Sequence, residues 1–309
     1  MLKRFKRNMS IEKIVAATYA PMHQDGSLNT YKIKDYGDYL MRNNIGGVFM
    51  NGSTGDFVSL SSQERKEITL AWSKNKNPNL YLIDHVGSPS LKIAKELANY
   101  ASDKVDAISV LAPFYFKLTS LEKLVQYCKE VAECAPNLPF YYYHIPSLTG
   151  ANFKMLDFLE LASKEIPTLE GIKFTSNNLI DYLHCKNFEN GKYEILFGYD
   201  ELFLSSLPIQ ANSWVGSTYN HLAPLYIKIK ELFEAGKSVE ASDLQAKAIK
   251  FVEILDSYGG YNGASKGFMK ICGIDCGPSR FPHRTLSDHE LLKIKKELIE
   301  NELIDFLSK

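Results

Sequence analysis

The sequence predicts an α/β protein built as a (β/α)8 TIM barrel with a C-terminal helical extension, on three observations. Eight short runs rich in β-branched and aromatic residues recur along the chain, and each is followed by an amphipathic stretch. After the eighth run the pattern becomes purely helical. Strand–helix alternation with right-handed crossovers leaves an open doubly wound sheet or a closed barrel, and eight units favour closure.

The eight runs are IVAATYA (14–20), IGGVFMNG (45–52), YLIDHVG (81–87), AISVLAP (107–113), FYYYHIP (140–146), LEGIKFTS (169–176), EILFGYD (194–200) and ANSWVGSTYN (211–220). Their apolar character is near-continuous, as strands buried on both faces require, rather than the strict alternation of a half-exposed antiparallel sheet. The intervening segments carry helix start signals. Ser61-x-x-Glu64 and Thr119-x-x-Glu122 each offer a capping box. Following the second of these, Leu121, Leu124, Val125, Cys128, Val131 and Ala132 fall at three- and four-residue intervals and lay one apolar stripe along a helix. Helices are predicted beyond the eighth strand at 222–236, 239–258, 263–271 and 288–307, the last opened by Ser287-x-x-Glu290. The predicted organisation is a flexible basic lead over 1–10, a barrel over 11–236 and an extension over 237–309 packed on the barrel. No Gly-, Ser- or Pro-rich linker separates them.

Composition bounds the function. With 309 residues, 45% hydrophobic and 23% charged, the chain can bury a large core without staples. Lys plus Arg and Asp plus Glu each total 36, so no global field draws nucleic acid or anionic lipid, and neither is expected as a partner. The lead carries Lys3, Arg4, Lys6 and Arg7 but no apolar signal core follows, and no stretch is long enough to span a bilayer. Cys128, Cys134, Cys185, Cys272 and Cys276 are odd in number and form no CxxC pairs. They are expected to be reduced thiols in a cytoplasmic protein, and with no matching histidine spacing no metal is expected.

In a parallel barrel the site lies at the carboxyl ends of the strands. Lys173, inside Gly-Ile-Lys-Phe-Thr, is the most informative residue there. Burying an unpaired ammonium costs several kcal/mol, and desolvation lowers its pKa and exposes a free amine able to attack a carbonyl. Gly52-Ser53-Thr54-Gly55 offers two hydroxyls and backbone N–H groups suited to a carboxylate, though such a turn is commonplace by itself. Along Tyr141-Tyr142-Tyr143-His144, alternation puts Tyr141 and Tyr143 on one face. Tyr143, at the open end, could relay protons, whereas His144 faces away and reads as a hydrogen-bonded packing residue.

Together AATYAPM, NGSTGDFVSLSSQER, APFYF, YYYHIPSLTG, GIKFTS, LFGYDE and VGSTYN resemble the pyruvate-dependent aldolases of the dihydrodipicolinate synthase and N-acetylneuraminate lyase superfamily, and look closest to its lyase branch. The resemblance runs from Val15 to about Pro282. It implies Lys173 as the Schiff-base lysine, Tyr143 as the proton shuttle, and Ser53 and Thr54 as the pair holding a pyruvyl carboxylate. It matches Thr175, Gly198, Tyr199, Asp200, Glu201 and Ser217 to positions that bind a sugar's hydroxyl tail. Tyr115 matches a tyrosine lent across a subunit interface in a homotetramer. The implied reaction is reversible cleavage of N-acetylneuraminate to N-acetylmannosamine and pyruvate without cofactor. Asp56 departs from the usual Glu, which leaves the loop's fine support open. A dihydrodipicolinate synthase usually has Arg where Leu148 stands, an uncharged side chain that cannot bind a second carboxylate. The same motifs would also suit a 2-keto-3-deoxy sugar acid aldolase or a noncatalytic, pyruvate-binding regulatory homologue. An intact Lys173 and Tyr143 argue against the noncatalytic reading.

Overall fold

The structure is a computed structural model that describes residues 13–309. The basic lead expected over 1–10 lies outside the described residues. Eight parallel strands close into one barrel in sequence order. They are β1 (Lys13–Ala17), β2 (Gly47–Met50), β3 (Tyr81–His85), β4 (Ala107–Leu111), β5 (Phe140–His144), β6 (Leu169–Phe174), β7 (Glu194–Phe197) and β8 (Ser213–Gly216). Closure comes from the pairing of β1 with β8, with Val15 opposite Val215. All eight predicted strands are present, and the predictions mostly overran at the carboxyl ends. The overrun has a physical reason: residues such as Gly52 and Gly198 continue the apolar pattern but turn into the loops that line the site.

Between the strands run α1 (Lys32–Arg42), α2 (Ser62–Lys74), α3 (Leu91–Ala101), α4 (Leu121–Ala132), the short α5 (Pro146–Thr149), α6 (Met155–Glu165), α7 (Leu179–Asn187) and the short α8 (Phe203–Ser206). The Ser61 box is formed, with Glu64 N–H donating to the Ser61 hydroxyl and the Glu64 carboxylate accepting from Ser61 N–H. The Thr119 box is not. Ser120 caps α4 instead, accepting from Lys123 N–H at 3.4 Å, because it stands directly before the first helical residue, Leu121. The α4 stripe faces inward as expected, with Leu124, Cys128 and Val131 fully buried.

Strand alternation divides the core in two. Ile14, Tyr142, Ile172, Phe174 and Trp214 point outward into the layer between strands and helices. Val15, Phe49, Ile83, Tyr141, Tyr143, Leu196 and Val215 fill the lumen, so the barrel is packed rather than a pore. Near the floor of that lumen Tyr141 donates its hydroxyl to Glu194, which also accepts from Ser213 at 2.9 Å.

After β8 come α9 (Tyr219–Glu234), α10 (Ser238–Ser257), α11 (Tyr261–Phe268) and α12 (Asp288–Glu300). The predicted box at Ser287 caps α12. Helix α9 begins three residues earlier than predicted and kinks at Leu222, two residues before Pro224. The chain folds back over the barrel: Arg280 donates to the carbonyls of Gly26 and Ser59 and pairs with Glu64, whose carboxyl it holds down at about 2. Near the end, Ser308 N–H donates to His221 O at 2.7 Å. The five cysteines are unbridged; four are buried and Cys134 is half-buried.

Candidate active site

Register brings the principal residues together. Lys173 on β6 lies opposite Tyr143 on β5 and Leu196 on β7, and alternation turns both Lys173 and Tyr143 inward. The Lys173 nitrogen sits 4.0 Å from the ring centroids of both Phe49 and Tyr143. Only 4% of the residue is exposed, and burial pushes its pKa down to about 7 against the opposing pull of Asp200. Near neutral pH a substantial fraction is free amine, the nucleophilic form. Burial drives the Tyr143 phenol the other way, up to about 12, with the Ser53 and Thr175 hydroxyls resisting. The phenol therefore keeps its proton at neutral pH, and its oxygen lies 3.5 Å from Ser53 Oγ.

The loop after β2 is bent by backbone that only some residues adopt. Asn51 and Asp56 both have positive φ, 55° and 51°, and they bracket Gly52-Ser53-Thr54-Gly55. A Cβ on Gly52 would come within 2.7 Å of the Phe49 ring, so the loop crosses that ring only as glycine. Asn51 is held from below. Its amide donates to Asp84 Oδ1 at 2.8 Å and reaches Thr69 Oγ1 and Arg65 O. Burial raises the Asp84 carboxyl to about 6. Beside it, His85 Nδ1 lies 2.8 Å from Asn51 O while Leu111 N–H donates to Nε2, which selects the neutral Nδ1–H tautomer. Asp56 approaches His283, 3.6 Å away, a partner from far along the chain.

The opposite wall comes from β7 and β8. Asp200 is buried; its Oδ2 accepts from Thr218 N–H at 3.0 Å and Thr218 Oγ1 at 2.7 Å, while Oδ1 has no partner. Burial raises its pKa, and burial followed by the Asp200 charge raises that of Glu201. Gly216 leaves room for it, since a Cβ there would fall 1.8 Å from Asp200 Oδ1 and displace the carboxylate. A cavity of about 820 Å³ opens over these groups. Ser53, Thr54, Tyr143, Lys173, Thr175, Gly198, Tyr199, Asp200, Glu201 and Ser217 all line it.

Tyr115 stands apart. It is 84% exposed at the surface, with φ of 24° and its ring packed edge-on against Phe116. His144 is a packing residue against Tyr142 and Phe174, but the expected hydrogen bond fails at Nδ1, which is buried without a partner among hydrophobic rings. Among the described residues no group of three or more His, Cys, Asp or Glu side chains is placed to hold a metal ion. Among the cavity residues that the sequence did not mark, three polar ones come from beyond the barrel and bond to one another or to the predicted residues. Tyr261 and Asn262 open α11, and His283 follows it. Ser217 donates to the Tyr261 hydroxyl at 3.4 Å, and Asn262 reaches Ser53 O and His283. The glycine pair 259–260 before Tyr261, both with positive φ, was the available signal of a special turn.

The profile of the Dihydrodipicolinate synthetase family matches residues 10–301. The chain belongs to that family. It is 37% identical to N-acetylneuraminate lyase A of Xenopus laevis over 299 residues, 95% of this chain and 98% of that protein. The solved N-acetylneuraminate lyase of Proteus mirabilis is 36% identical with a TM-score of 0.90, covering 96% of this chain and 99% of that one. A catalytic-lysine mutant of the Ruminococcus gnavus sialic acid aldolase is 29% identical with a TM-score of 0.87, covering 95% and 97%.

Proposed function

We propose that this family member is an N-acetylneuraminate lyase, an aldolase that cleaves sialic acid reversibly to N-acetylmannosamine and pyruvate through an imine on Lys173. The observation that carries the reading is the buried Lys173 nitrogen beside the Tyr143 ring, at the carboxyl end of the barrel and next to the Ser53–Thr54 loop. Its relatives bearing the lyase name support the substrate. The R. gnavus aldolase, whose mutant is named for a catalytic lysine, supports the role of Lys173.

The free amine of Lys173 adds to the C2 carbonyl of the ring-opened keto acid, and the carbinolamine takes up one proton from solvent and loses water to give a protonated imine. The C3–C4 bond then breaks, its electron pair enters the imine as an enamine, and the C4 hydroxyl gives up its proton as the aldehyde forms. Protonation at C3 and hydrolysis release pyruvate and regenerate the amine. A phenol kept protonated by burial moves that proton by relay, accepting on oxygen while donating to a neighbour, and Ser53 Oγ is such a neighbour. Ser53 and Thr54 hold the carboxylate. Asp200, with an unpartnered oxygen, accepts from sugar hydroxyls together with Glu201 and Ser217, while Thr175, Gly198 and Tyr199 shape the same wall.

Leu148 lines the cavity and is 63% exposed, so the position where a synthase carries a cation offers no donor for aspartate semialdehyde's carboxylate. We place the working enzyme in the cytoplasm as a homotetramer in which Tyr115 enters a neighbouring site. Unbridged cysteines support the first assignment and the exposed Tyr115–Phe116 pair the second. No helix among the described residues is long and apolar enough to cross a membrane. The test compares pyruvate release from N-acetylneuraminate, coupled to lactate dehydrogenase, with condensation of pyruvate and aspartate semialdehyde. Release should dominate by roughly 10⁴-fold in kcat/KM, because a site built for hydroxyls leaves polar groups unpaired with other substrates. The reverse ranking would overturn the reading, and equally poor rates would point to a keto-deoxy sugar acid aldolase.

A further inference from the structure

Phe49 has no polar atom to mark it, yet it packs against Lys173, Tyr143 and the turn that carries Ser53 and Thr54. Its ring lies 5.5 Å from that of Tyr143 at 79°, forming an aromatic corner, and the Lys173 nitrogen rests 4.0 Å from both centroids. Gly52 approaches the same ring so closely that a Cβ there would come within 2.7 Å of it. The Phe49 side chain is fully buried in the lumen, with His85 packed beside it at 6.1 Å. A ring in that corner cannot drift without moving the lysine, the phenol or the carboxylate loop.

We propose that Phe49 is a positioning residue for the aldol chemistry, whose ring face seats the Lys173 nitrogen and stabilises the positive charge it carries as ammonium and as protonated imine. The proposal rests on the Schiff-base reading above and deepens it. An aromatic face attracts a cation through its quadrupole and does little for a neutral amine. Removing that attraction therefore disfavours the iminium relative to the free amine, and shifts amine protonation to lower pH. The groups that act on the nitrogen are Tyr143 from β5, His85 from β3 with Arg65 behind it, and Asp200 after β7, while Asp56, Glu201, Asp256, Tyr261 and His283 line the same cavity. Burial and the Arg65 charge push the His85 pKa well down, and burial pushes that of Tyr143 up, so at neutral pH both rings flanking Phe49 are uncharged.

The experiment is borohydride trapping of pyruvate on Lys173 across pH, read by mass spectrometry of the digested protein. It compares the wild type with Phe49→Leu and with site-specific mono- and trifluorinated phenylalanine at 49, which keep the ring's shape while weakening its face. The trapping midpoint should fall stepwise with fluorination and by about one pH unit in Phe49→Leu, the size of a desolvated cation–π contact. Turnover of N-acetylneuraminate at saturating substrate should fall in the same order. If the fluorinated series keeps the wild-type midpoint and turnover, the ring acts only as packing and the proposal is overturned, whether or not Phe49→Leu folds. Absence of any trapping on Lys173 in the wild type would instead defeat the Schiff-base reading itself.

Discussion

Replacing Lys173 by Met should abolish turnover and change how stability depends on pH. Methionine fills nearly the same volume without the charge. The folded protein releases the Lys173 proton near pH 7 and the unfolded chain near 10.5, because burial disfavours the ammonium. Between those values the unfolded chain binds more protons, so in the wild type the burial penalty is full below pH 7 and is relieved as pH rises. At about 1.4 kcal/mol per pH unit, raising pH from about 7 to about 9.5 should stabilise the wild type by roughly 3 kcal/mol more than Lys173→Met. Losing the lysine also removes an attractive partner of Asp200 and raises that carboxyl further, so the comparison belongs on the alkaline side. Urea denaturation at fixed protein concentration, followed through the buried Trp72 and Trp214, reads the difference directly. Parallel pH dependences for the two proteins would refute the claim that the nitrogen is desolvated.

Tyr143→Phe should lower kcat about 10²-fold with a smaller effect on KM, as loss of a transition-state relay requires, and an unchanged kcat would return Tyr143 to the core. Gly216→Ala should displace Asp200, whose Oδ1 a Cβ would approach to 1.8 Å, costing about 1–3 kcal/mol in urea titration and most of the kcat/KM for N-acetylneuraminate. Wild-type values for both would mean that Asp200 can move freely. Tyr115→Ala should be nearly inactive, and refolding it together with Lys173→Met should recover activity, since each chain then supplies what its neighbour lacks. No recovery in the mixed assembly, checked by light scattering, would remove Tyr115 from its neighbour's site.

The barrel was legible because buried parallel strands write themselves as continuous apolar runs, and eight runs leave little choice of closure. Lys173 was legible for the complementary reason, as a charge in a place where charges are expensive. Capping was less so: Thr119 and Ser120 offer the same hydroxyl, and only the position of Leu121 decides between them. Phe49 was silent because an aromatic in a barrel strand is ordinary, and its role appears only when register swings Lys173 across the lumen to meet it. Tyr261, Asn262 and His283 were silent because they reach the cavity by folding back over it, a long-range contact with no periodic trace.

That fold-back imposes an order on synthesis. The lysine, the phenol and the carboxylate loop are all made before residue 217, yet the cavity wall at Tyr261, Asn262 and His283 and the Arg280–Glu64 pair come after all eight strands. The floor of the cavity is therefore translated in full before the segment that walls it, and the cavity takes its final shape only when the chain beyond β8 has folded back.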